Sequence, residues 1–173
     1  MDLQEGLAGL NSSSAAEAEA ELLKCCGSTE WARALVARRP FGDARELFGA
    51  ADEAWWNLCE RDWLEAFSAH PRIGGRERAA HAQHAQAEHW SEQEQSGARA
   101  ATEATLDELA AANRAYEDKF GHIFIVCATG KTAEEMLALL RARLSNPAGT
   151  ELRIAATEQS KITRLRLEKL LTT

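Results

Sequence analysis

The sequence predicts an all-α, single-domain multi-helix bundle, and three observations predict it. Apolar residues recur at i, i+3, i+4 and i+7 over most of the chain. Start and stop signals punctuate that pattern at short intervals, with Ser, Thr or Asp before apolar stretches and Gly or Pro after them. One segment alone, 122–128, is dense in β-branched and aromatic residues, and nothing else in the chain would pair with it as a strand.

The elements follow in order. Asn11-Ser12-Ser13-Ser14 offers N-caps for a helix from Ala15 to Cys26, with Gly27 at the C′ position. Ser28-Thr29 opens a second helix through Trp31, Leu35 and Val36, stopped by Pro40. Phe41-Gly42-Asp43 starts a third, carrying Leu47, Ala50, Ala54, Trp55 and Leu58. Its continuation through Trp63, Leu64 and Phe67 leads to His70. Arg78 to Glu88 is polar and Ala-rich, a solvated helix or a loop. Ser91 to Lys119 reads as one long helical segment with Leu106, Leu109, Ala110, Asn113, Tyr116 and Phe120. Thr132-Ala133-Glu134-Glu135 is a capping box opening a helix to about Leu144. Asn146-Pro147 repeats the start signal for a last helix to about Leu171. There is no linker, repeat or low-complexity tract, so one domain is expected over residues 1–173.

Composition narrows the function classes. Apolar residues make up 45% of the 173 residues and charged residues 27%, as in an ordinary globular protein. The net charge of -7 argues against duplex nucleic acid or an anionic membrane as the main partner, since both want clustered Lys and Arg. A small anionic ligand stays open, because one local arginine outweighs a distant average. No apolar run reaches transmembrane length. The start, Met1-Asp2-Leu3-Gln4-Glu5-Gly6, lacks the basic and apolar regions of a signal peptide, and Leu171-Thr172-Thr173 is no peroxisomal address. Cys25, Cys26, Cys59 and Cys127 form no C-x-x-C pair and read as reduced core thiols of a cytoplasmic protein.

The most informative stretch is Ser68-Ala69-His70-Pro71-Arg72-Ile73-Gly74-Gly75. Proline disfavours the α conformation in the residue before it, so the helix should stop at or near His70. That puts an imidazole at a helix end, and imidazole is the side chain best suited to proton transfer near neutral pH. The same spacing also fits a plain helix stop with a structural histidine.

Three other stretches carry candidates. If His122 to Ala128 is extended within a helical domain, its backbone groups need partners, which helix ends, water or a ligand can supply. A buried short helix or connector fits it as well. Ser91 and Glu94 match S-x-x-E, which is either a capping box or part of a site at a helix N-terminus with Gln95. Of His81, His84 and His89, the first two would share a helical face at i, i+3, but no Cys, Asp or third histidine joins them at a recognised metal spacing, although Glu88 is near, so a solvated face is the better reading and no metal is expected.

Taken together, these pieces resemble one family. Arg39-Pro40-Phe41, His70-Pro71-Arg72-Ile73-Gly74 and Ser91-x-x-Glu94-Gln95-x-Gly97 fall in its order. So do Asn113-x-x-Tyr116-x-x-x-Phe120-Gly121, Phe124-Ile125-Val126-Cys127-Ala128 and Arg143-Leu144-x-Asn146. Glu151-Leu152, Ala155, Lys161-Ile162 and Arg166-Leu167 complete the match. The chain is similar, from about residue 8 to its end, to 2-oxo-4-hydroxy-4-carboxy-5-ureidoimidazoline (OHCU) decarboxylases of the urate-to-allantoin pathway. The stretch around Arg76 to Trp90 is longer and richer in His and Ala than that pattern.

The resemblance implies an all-helical fold of the OHCU decarboxylase type, a homodimer with no cofactor, and a small ureidoimidazoline substrate. It implies His70 as the catalytic acid–base group, with Glu94 and Arg166 also in the catalytic set. Pro71, Ser91 and Gln95 would contact substrate, together with the backbone of Val126, Cys127, Ala128, Thr129 and Gly130. Read without the resemblance, Arg166 is an exposed arginine in a Lys/Arg-rich helix end. A hydrolase or isomerase of a related ureide on the same fold is the alternative enzyme, and a non-catalytic helical interaction module is the alternative from another class. A histidine, a carboxylate and an arginine together argue against the module, because binding alone does not need that set.

Overall fold

The computed structural model describes residues 2–73 and 101–173. Among them are eight helices and no strand: α1 (Leu3–Ser12), α2 (Ala15–Cys25), α3 (Thr29–Arg38), α4 (Ala44–Trp56), α5 (Glu60–Ser68), α6 (Glu103–Phe120), α7 (Ala133–Arg143) and α8 (Ala148–Thr172). The all-α fold class is as the sequence predicts. Two compact units are formed, one by residues 1–66 with 160–173 and the other by residues 67–159.

In the first unit, short polar signals set the helix starts. Ser14, Ser28 and Asp43 are the N-caps of α2, α3 and α4, and each accepts a backbone N–H three residues on. Helix α1 is not among the expected elements. Asp2 caps it and Glu5 returns the bond to the Asp2 backbone, a capping box written with Asp in place of Ser or Thr. Gly6 is required where α1 meets the end of α8: a Cβ there would lie 2.1 Å from the Leu171 carbonyl oxygen. The core gathers Leu7, Leu22, Trp31, Leu35, Leu47, Trp55, Leu167 and Leu171. The Trp31 indole N–H donates to the Ala51 carbonyl at 3.0 Å, so its polar edge is satisfied inside the core. Arg39-Pro40-Phe41 has a structural part here. Phe41 exchanges two hydrogen bonds with the Asn11 amide, and Arg39 reaches the Ser13 carbonyl at 2.9 Å, so the end of α1 is tied down.

Four details differ from the sequence reading. Helix α2 ends in an extended Cys26, and Gly27 is not in the left-handed conformation of a C′ glycine. The third helix does not run on to His70, because it breaks after Trp56 and restarts at Glu60. Asp62 turns back at this restart to accept from the Cys59 N–H and thiol at 3.3 and 3.0 Å. Those bonds, the thiol's foremost, hold the Asp62 carboxyl below the usual carboxylate range. The Ser91–Lys119 segment is not one helix either, since Thr102 is extended and caps α6. Finally, Cys59 is exposed and Cys127 half-buried, so core thiols describe only Cys25 and Cys26. Burial pushes both of those thiols up, Cys26 to about 12.

The second unit is built on α6 and α7. Ile73, Leu109, Tyr116, Phe124, Val126, Met136, Leu137 and Leu140 form its core. Helix α6 ends on Gly121, whose φ of +74° is the left-handed cap that glycine adopts without a Cβ penalty. Thr132 and Glu135 close the expected capping box on α7.

Candidate functional site

His70 stands just past the end of α5, where its N–H still bonds the Phe67 carbonyl at 3.1 Å. The helix stop predicted from Pro71 is present. The three residues after His70 anchor it. The Ile73 side chain enters the core, 5% exposed, and its carbonyl accepts from the buried Asn113 amide at 3.0 Å. The Arg72 guanidinium makes a two-pronged pair with Glu117, at 2.6 and 2.8 Å. His-Pro-Arg-Ile is therefore a stop, a stiff link and two anchors, and these fix the half-buried imidazole and Pro71. The ring itself meets α8: Nε2 lies 2.7 Å from the Gln159 amide oxygen, and Gln159 is fully buried.

The segment 122–128 is neither helix nor strand, and side chains answer its backbone. Cys127 N–H donates to Glu158 at 2.8 Å, and the Lys131 ammonium donates to the Cys127 carbonyl at 2.8 Å. Arg143 donates to the Ile125 carbonyl at 2.8 Å. Val126 and Ala128 are buried, while Thr129 and Gly130 are exposed at the turn, Gly130 with φ +78°. Of the implied binding loop, then, Cys127 has its N–H and carbonyl engaged by Glu158 and Lys131. Thr129 and Gly130 are the exposed part.

Arg166 belongs to the first unit and is only 5% exposed, so the exposed-arginine alternative does not hold. It donates to the Lys24 carbonyl at 3.4 Å and favours the thiolate of Cys25 against burial. Ser91, Glu94 and Gln95 lie outside the described residues, as do His81, His84 and His89. Among the described residues no group of three His, Cys, Asp or Glu is placed to hold a metal.

The sequence reading missed Glu158 and Gln159. A signal for Gln159 exists. Ala155, Gln159 and Ile162 follow one i, i+4, i+7 stripe of α8, and Ala155 and Ile162 are core residues. A polar residue in a core stripe needs a partner, which is a reason to look for one.

The family model of OHCU decarboxylase matches residues 11–168. The chain is 45% identical over 154 residues to the uric acid degradation bifunctional protein TTL of Arabidopsis thaliana, covering 88% of this chain and 47% of that protein. It thus spans about half the length of that relative. It is 29% identical to the OHCU decarboxylase of Amia calva, over 81% of this chain and 79% of the relative. A crystal structure of OHCU decarboxylase in the presence of (S)-allantoin superposes with a TM-score of 0.76 at 42% identity, covering 88% of this chain and 98% of that one. With the match spanning residues 11–168, most of its length, the chain belongs to the OHCU decarboxylase family.

Proposed function

We propose that this protein decarboxylates OHCU to (S)-allantoin without a cofactor, with His70 as the acid–base group. The observation that carries this reading is the match, over almost the whole of the other chain, to a decarboxylase crystallised with (S)-allantoin. An imidazole anchored at a helix stop supports it. The substrate supplies its own electron sink. The bond from the ring carbon to the carboxylate breaks, CO₂ leaves, and the electron pair passes into the neighbouring C=N, whose nitrogen takes a proton. The enol so formed then loses its hydroxyl proton as the adjacent carbon takes one from one face, which leaves the carbonyl of allantoin. One placed acid–base group gives that selectivity, and such groups are worth about 10²–10⁴-fold.

Arg166 would orient the carboxylate by paired hydrogen bonds, which lysine does less well. Glu94 would hold His70 or the substrate's N–H groups. Pro71, Ser91, Gln95 and the backbone from Val126 to Gly130 would surround the ureido and carbonyl groups. The family match spans residues 11–168, which take in parts of both units, and this supports one functional domain over residues 1–173. We read the protein as a cytoplasmic homodimer. No helix among the described residues is long and apolar enough to cross a membrane. The test is CO₂ release from freshly generated OHCU. Release well above the spontaneous rate, proportional to protein, supports the reading, and release at the spontaneous rate rejects it.

A further inference from the structure

We propose that Gln159 is a positioning residue for His70: its amide oxygen accepts a hydrogen bond from Nε2–H, fixing the ring's tautomer with Nδ1 as the basic nitrogen. The proposal rests on the decarboxylase reading of His70.

The contact is short, 2.7 Å, and Gln159 is wholly buried. A buried amide is costly unless its polar atoms are bonded, so an apolar residue in this stripe of α8 would be the cheaper choice for packing alone. A neutral imidazole has one N–H and one lone pair, and the partner of one nitrogen decides the state of the other. The choice of glutamine over a carboxylate has a consequence too. A carboxylate at this distance would favour the imidazolium and raise the ring's pKa, whereas a neutral acceptor orients it without adding charge. The neighbouring Glu158 holds the Cys127 N–H at 2.8 Å. Successive residues of a helix point in different directions, so one turn of α8 orients both the acid–base ring and the 126–130 loop.

The experiment is ¹⁵N NMR of the histidine rings in the full chain, with His70 assigned by its loss in His70→Asn, together with steady-state kinetics. The neutral wild-type ring is expected as the Nε2–H tautomer. Gln159→Leu should mix the tautomers and lower kcat at least about 10-fold with KM little changed, since an acid–base group acts in the chemical step. Gln159→Glu should raise the His70 titration by about one pH unit or more, and the acid limb of kcat/KM should move with it. A wild-type Nδ1–H tautomer, or a titration unmoved in Gln159→Glu, overturns the role of Gln159 even if turnover is normal. A wild type with the Nε2–H tautomer and no turnover of OHCU overturns the decarboxylase reading instead.

Discussion

Arg143 and Glu151 form a buried ion pair, Nε to Oε1 at 2.7 Å, with Glu151 fully buried. The Tyr116 hydroxyl donates to the same carboxylate oxygen and Asn146 to the other, at 2.8 Å. Burial, with that bond to Glu151, pushes the Tyr116 hydroxyl above its ordinary range. Through Arg143 the network also holds the Ile125 carbonyl, so it supports the irregular segment leading to the 126–130 loop.

Glu151→Gln should therefore cost about 3–5 kcal/mol of stability, because it leaves the Arg143 cation buried without a counter-charge. The exposed Arg141–Glu108 pair, at 2.6 Å, is the contrast, and Arg141→Ala should cost less than about 1 kcal/mol. Urea midpoints of the two variants compare them directly. Equal losses would mean that Arg143–Glu151 behaves as a surface pair.

His70→Asn should lower turnover at least about 100-fold, the low end for losing a positioned acid–base group. Its circular dichroism should stay helical, because Ile73 and Arg72 hold the segment on their own. Near wild-type turnover would remove His70 from the chemistry.

Glu94 separates a cap from a catalyst. As a capping-box residue only, Glu94→Gln is nearly silent, since Gln also serves at that position. As an active-site carboxylate, the same change lowers turnover by one to several orders of magnitude, about 1.4 kcal/mol of barrier for each tenfold. The account expects the second, with an unchanged melting temperature. Ser91→Ala is the control, costing about 0.5–2 kcal/mol of stability as a lost N-cap.

The thiols should divide by burial. Cys59 should react with a thiol reagent at once, and Cys25 and Cys26 only on unfolding. Both buried thiols are pushed up, so the unfolded chain releases their protons first as pH rises. Stability should fall above the unfolded thiol value of about 8.5, by up to about 1.4 kcal/mol per pH unit for each thiol. Flat stability from pH 8 to 10 in the wild type, matching a Cys25→Ala/Cys26→Ala variant, would contradict this.

Much of the fold was legible because it is written in local signals. Ser14, Ser28, Asp43 and Thr132 cap where the sequence places caps, and Pro71 stops α5. The break at 57–59 was not legible, because Leu58 and Trp63 continue an apolar stripe and the restart depends on Asp62 turning back to Cys59. Partners distant in sequence were hidden for the same reason. His70 announces itself beside a proline, but Gln159 lies 89 residues away and only folding makes it a neighbour.

The most direct measurement is the optical purity of allantoin formed from freshly generated OHCU, followed by circular dichroism with and without the protein. The account predicts (S)-allantoin, formed faster than the spontaneous decay and lost in His70→Asn. Racemic allantoin at the spontaneous rate, with folded protein present, would contradict it.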